Sequence, residues 1–168
     1  MSAVEAEPPL PQSEATAEQL LNRLLELIKH STSIADFTAA TVGSALGVRL
    51  HTFASGRAGY RAQLTPEWSC TLTTHQKYAL GPRMLLEFVS DSTGRVPMTG
   101  ICQVDVRKFT GELSQAGFSN TVHYGEHGWR MGNLLERDGL TVELSACSEA
   151  DQPQDKFEHH CIRSILVH

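Results

Sequence analysis

The sequence predicts an α+β fold, with N-terminal helices and one mid-chain helix packed on antiparallel β-meanders. Three observations carry this. Apolar residues recur at helical spacing as far as Leu46, the period turns to alternation after Val48, and helical spacing returns only once, beyond Asp105. Helices grouped in this way, rather than interleaved with strands, favour an antiparallel sheet over a parallel one.

Taken in order, residues 1–12 hold three prolines and little to bury. A loosely attached tail is therefore expected over 1–15, followed by a single domain over 16–168. Thr16-Ala17-Glu18-Gln19 matches a capping box, and Leu20, Leu21, Leu24, Leu25 and Ile28 follow on one face, predicting a helix over 17–30. Ser33 with Asp36 starts a second helix, about 34–46, closed by Gly47. The alternating runs 60–64 and 68–72 read as a hairpin around Thr65-Pro66-Glu67, placing Leu64 near Trp68, Ala62 near Cys70 and Tyr60 near Leu72 on the core face. Residues 84–89 read as a buried strand and 100–104 as a short one. Asp105 caps a helix carrying Val106, Phe109 and Leu113, ended by Gly117. Strands are expected at 119–124, 128–136, 140–147 and 157–167, with Asp138-Gly139 as a two-residue hairpin turn. Both halves run helix-then-meander, but no residue-level repeat is visible, so the likeness is treated as coincidence.

Composition bounds the function. The 168 residues are 40% hydrophobic, enough for one core, and carry a formal net charge of -5 without any lysine- or arginine-rich run, which argues against nucleic acid as a partner. No apolar stretch approaches the ~20 residues a spanning helix needs, so membrane insertion is not expected. The start, Met-Ser-Ala-Val-Glu-Ala-Glu-Pro-Pro-Leu-Pro, reads equally as a cytosolic tail or as the head of an exported protein behind an initiating methionine. The expected compartment is periplasmic if a signal peptide has been removed and cytoplasmic otherwise.

Four cysteines allow two bridges. If strands on either side of residue 154 pair symmetrically, Cys147 falls opposite Cys161 and Val142 opposite Leu166, and a cross-strand disulfide fits that geometry. Cys70 and Cys102 are left for a second bridge. Buried free thiols remain the alternative for both pairs.

Nothing local specifies catalysis. The sequence lacks G-x-S-x-G, G-x-x-x-x-G-K, G-x-G-x-x-G and H-E-x-x-H, and no cofactor is expected. His123-Tyr124-Gly125-Glu126-His127-Gly128-Trp129 gathers two imidazoles and a carboxylate, to which His159 or His160 would have to be added for a metal site. The flanking glycines favour an exposed hairpin tip, and no metal site is carried forward. Cys161 beside His159 and His160 suggests a thiol nucleophile, but strand geometry turns His160 away from it.

Binding is better served. Five basic residues, Arg49, Arg57, Arg61, Lys77 and Arg83, stand against Glu67 alone between Val48 and Leu86. Glu143, Glu149, Asp151, Asp155 and Glu158 make a later segment acidic. Aromatics at exposed turns anchor protein interfaces, and acidic hairpins steer basic partners. The candidate partner-binding residues are Tyr124, Glu126, His127, Trp129, Glu149, Asp151 and Asp155.

Ile101-Cys102-Gln103-Val104-Asp105, the helix with Phe109 and Leu113 ending in Gly117-Phe118, and the meander through Leu144 together resemble small bacterial periplasmic immunity or inhibitor proteins. The resemblance implies a non-enzymatic protein that neutralises a secreted antibacterial toxin, often a cell-wall hydrolase, by protein–protein contact. It transfers no inhibitory residue. Two other readings stand beside it: a structural or adaptor module of an envelope or secretion assembly, homodimeric through a sheet edge, and a small metal-dependent hydrolase using His123 and His127.

Overall fold

The computed structural model describes residues 8–90, 96–128, 130–148 and 160–168, without the side chains of His127, Arg130 and Ser148. Eight strands form one antiparallel sheet: β1 His51–Ala54, β2 Arg57–Gln63, β3 Ser69–His75, β4 Arg83–Val89, β5 Ser119–Tyr124, β6 Arg130–Arg137, β7 Leu140–Ser148 and β8 His160–Val167. Their order is β1-β2-β3-β4-β8-β7-β6-β5, so two four-strand meanders meet along β4 and β8.

Among the described residues, three α-helices share one hydrophobic core with this sheet. The first, α1, runs Ala17–His30 behind the capping box of Thr16 and Gln19 and buries its apolar stripe completely from Leu20 to Ile28. The expected second helix over 34–46 is broken, because two start signals follow one another. Ser33 and Asp36 cap a single 3-10 turn, Ile34–Asp36. Phe37 then leaves helical geometry to bury its ring in the core, and Thr38 accepts from the Thr41 amide to begin α2, Ala39–Leu46, which ends at left-handed Gly47. The third helix, α3, spans Val106–Gln115 with Asp105 as its cap, and packs against α1, β5, β6 and β8.

The strand expected over 100–104 does not exist. Residues Thr99–Ile101 make a 3-10 turn, and Ile101, Cys102 and Val104 are all buried as a plug rather than alternating. The fourth strand of the first meander is instead β1, before the hairpin. That hairpin has the expected register, Ala62 opposite Cys70 and Tyr60 opposite Leu72, with Trp68 in the core. In the last hairpin Cys147 does lie opposite Cys161, but Val142 pairs with Val167 rather than Leu166. The register slips between Ser145 and Ala146, where Arg163 is the extra residue of a bulge.

Opposition did not produce the bridge. Cys161 is joined to Cys102, with Cα atoms 5.0 Å apart, while Cys147 and Cys70 are free. The 3-10 turn and an isolated Asp105–Cys161 bridge bring Cys102 to the other side of β8. The Cys147 thiol sits 3.8 Å from Met98 Sδ and 3.9 Å from the Cys161 carbonyl.

Within the tail expected over 1–15, the chain is held to the sheet from Pro11 on. The Gln63 amide donates to the Pro11 carbonyl (2.8 Å), Ser13 N–H donates to the Gln63 carbonyl (2.7 Å), and Ala15 is buried. At the other side Arg137 gathers two helix ends, donating to Ala116 (2.8 Å) at the end of α3 and to Ser31 (2.7 Å) after α1, with its guanidinium over the Phe118 ring. Asp138 and Gly139 turn the hairpin with φ of 34° and 81°, the pairing a type I′ turn demands.

Two stability predictions follow from the cysteines. The bridge closes a separation of 59 residues, so Cys102→Ser with Cys161→Ser should lower stability by about 4 kcal/mol in denaturant titrations, and reductant should do the same to the parent but nothing to the variant. Burial pushes the Cys70 thiol from an ordinary 9.0 up to about 11. Because its folded value is raised, the stabilisation is complete below pH 9.0 and is lost as pH rises through 11. Cys70→Ala should remove roughly 2–3 kcal/mol of that alkaline decline, measured as the difference between the two stability-against-pH curves.

Candidate binding surface

Strand alternation turns the sheet's share of the core to one face and, among the described residues, leaves the other face partly exposed. On it stand Arg61, Thr71, Thr73, Glu87, Ser164, Ser145, Glu143 and Leu134, all exposed or half-buried. Polar residues alternating with a buried apolar set are what a one-sided antiparallel sheet requires.

Two strand-interior glycines shape this face. On β2, Gly59 pairs with His51 of β1 and with Thr73 of β3; on β6, Gly132 pairs with His123 of β5 and with Ser145 of β7. A Cβ on Gly59 would press on the Phe53 ring at 2.8 Å and on the Leu72 carbonyl at 3.3 Å, and a Cβ on Gly132 would collide with the Leu144 carbonyl. Glycine inside a strand commonly marks such close backbone approach. Beside each lies a depression, of 490 Å³ at Gly59 and 280 Å³ at Gly132. A bulge residue with a large exposed apolar side chain borders each: Phe53 on β1 is 66% exposed and Met131 on β6 is 58% exposed. A third depression, 330 Å³, lies between the ends of β4, β7 and β8 beside Cys147 and Arg163. There burial raises the Cys147 thiol above its ordinary value, while the nearby Arg163 guanidinium opposes that rise.

Of the residues singled out from sequence, Tyr124 ends β5 and is 67% exposed, and Glu126 is exposed in the single 3-10 turn Glu126–Gly128. His127 belongs to the same turn, its side chain outside the description. Trp129, Glu149, Asp151 and Asp155 lie outside the described residues, as does His159. His123 is exposed opposite Gly132, and Glu143 lies 3.6 Å from the His168 imidazole across β7 and β8. Among the described residues no three or more of His, Cys, Asp and Glu are grouped to hold a metal ion. Cys161 is no nucleophile, since its sulfur is committed to the disulfide. Also among the described residues, no helix is long and apolar enough to cross a membrane.

The sequence reading missed Phe53, Met131 and both glycines. Their signal was present but faint: a glycine two or more residues inside an alternating run, in each meander, one strand after a histidine. Comparison of the chain with protein-family models, with curated proteins and with solved structures finds no match.

The close approach at Gly132 gives a test of the surface's construction. Gly132→Ala should cost roughly 1–3 kcal/mol in unfolding free energy and shift the amide resonances of residues 121–124 and 144–146, whereas Gly111→Ala, exposed on α3 with open space around its Cβ position, should leave those resonances in place.

Proposed function

We propose that this protein is a non-enzymatic binding protein of the immunity or inhibitor kind, which occludes a secreted antibacterial toxin or cell-wall hydrolase with the second meander. One observation carries the reading. Tyr124 and Met131, both majority-exposed, stand at the same end of β5 and β6, and Met131 borders the depression at Gly132. Large apolar side chains held out by a rigid sheet are the usual anchors of an interface, and each contributes about 1.5–3 kcal/mol when fully buried by a partner. The disulfide fits an oxidising compartment such as the periplasm.

A second reading has its own support. Strand β5 is an edge, and Ser119-Asn120-Thr121-Val122-His123-Tyr124 contains no lysine, aspartate, glutamate or proline to deter pairing. An adaptor that dimerises by adding β5 to β5 of a second copy would use that edge.

Affinity capture from the producing bacterium separates these. The inhibitor reading expects one partner at equimolar ratio, lost on Tyr124→Ala with Met131→Ser because affinity drops at least about tenfold. A chain that remains alone at micromolar concentration beside a candidate toxin, or a capture indifferent to both substitutions, defeats it. Sedimentation of the pure protein as a dimer, abolished by Val122→Pro, would support the adaptor.

A further inference from the structure

The two glycine depressions are related. The sheet order is symmetric about the joint of β4 and β8, so β1 corresponds to β5, β2 to β6 and β3 to β7. Under that correspondence His51 falls on His123, Gly59 on Gly132, Leu72 on Leu144 and Thr73 on Ser145, each pair holding the same register with its neighbours. The match closes at the joint itself: it carries Leu86 onto Ile165, and those two residues are paired with each other. One architectural unit thus occurs twice, and what differs between its copies is informative.

Charge is what differs. Arg61 occupies the place taken by Leu134, and Thr71 the place taken by Glu143. The depression at Gly59 is lined by Arg49 and Arg61 against a single carboxylate, Glu14; that at Gly132 has Glu143 and neither lysine nor arginine in its lining. With histidines neutral, the first is left with one net positive charge and the second with one negative. The first is also the larger, and its 490 Å³ falls in the range of small-molecule sites. Its apolar surface includes the Phe53 ring, laid against the bare backbone of Gly59, and Pro11 on the side where the N-terminal segment is bound to β2. The Thr71 and Thr73 hydroxyls offer uncharged hydrogen bonds.

We propose that the depression at Gly59 is a binding site for a small planar molecule carrying one negative charge, an aromatic carboxylate or sulfonate. The ring stacks on Phe53, whose own ring occupies the space over Gly59 that any side chain at that position of β2 would fill. The anionic group meets Arg49 and Arg61, whose guanidinium forks suit carboxylate and sulfonate oxygens. Its copy at Gly132 has a glycine at the same register but neither the phenyl ring nor the cations, and serves as an internal control. This site is distinct from the partner surface around Tyr124, so either can fail alone.

Fluorescence titration tests the assignment with two probes of similar shape, anionic 1-anilinonaphthalene-8-sulfonate and uncharged N-phenyl-1-naphthylamine. The expected result is saturable binding of one sulfonate per chain, at least about tenfold tighter than the uncharged probe and weakened between about 50 mM and 500 mM salt. Arg49→Gln with Arg61→Gln should erase the preference between probes, and Phe53→Ala should weaken both. Leu134→Ala, in the sister depression, should change neither. Equal affinity for the two probes on the parent protein, which requires no variant to fold, would overturn the proposal; so would sulfonate binding that survives the arginine substitutions or responds to Leu134→Ala.

Discussion

The pairing of β4 with β8 is the constraint on which the architecture depends. Among the described residues, four residue pairs, from Met84 with Val167 to Glu87 with Ser164, join β4 of the first meander to β8 of the second. Every other neighbouring pair belongs to one meander or the other. Two further ties span this short seam on the helical side: α1 of the first half packs on α3 of the second, and Cys102, arriving after β4, is bonded to Cys161 near the start of β8. Arg137 adds a polar clasp, holding the ends of both helices from β6. With that seam in place a single core forms from all three helices and both meanders.

The parts of the fold that were legible are those set by neighbours in sequence. Thr16 with Gln19, Asp105 with Lys108 and Asp138-Gly139 act through bonds or dihedrals spanning a few residues, and each does what its residue types imply. The alternation of 60–64 and 68–72 carried its own register. Where the reading failed, a distant partner had decided the matter. Ile101, Cys102 and Val104 are apolar because they plug the end of the core beside β8, not because they line a strand. Cys161 faced Cys147 as inferred, yet a residue brought by a separate loop took the bond. Phe37 interrupts the helix that its spacing implied: its backbone is non-helical, its ring is buried in the core, and Thr38 caps a new helix after it.

The surface was legible in the same uneven way. Tyr124 and Glu126 were recognisable as an exposed turn from the glycines around them. Gly59 and Gly132 were not, because the first is required by the Phe53 ring and the second by the Leu144 carbonyl, each on an adjacent strand, and a lone glycine carries no record of that neighbour. The internal correspondence was invisible for a related reason. It rests on register, His opposite Gly opposite a hydroxyl, while the intervening residues have diverged in size and charge. A duplicated scaffold bearing one basic and one acidic copy of the same hollow gives a single sheet two dissimilar contact points.

One consequence of the strand order concerns biosynthesis. Seven strands precede β8 along the polypeptide, yet β8 occupies the middle of the sheet, between β4 and β7. While the ribosome is still adding those residues, each half-built meander presents a bare inner edge with its amides and carbonyls unsatisfied, and the disulfide has only one of its sulfurs. Assembly must therefore wait for the last insertion, after which both edges vanish together.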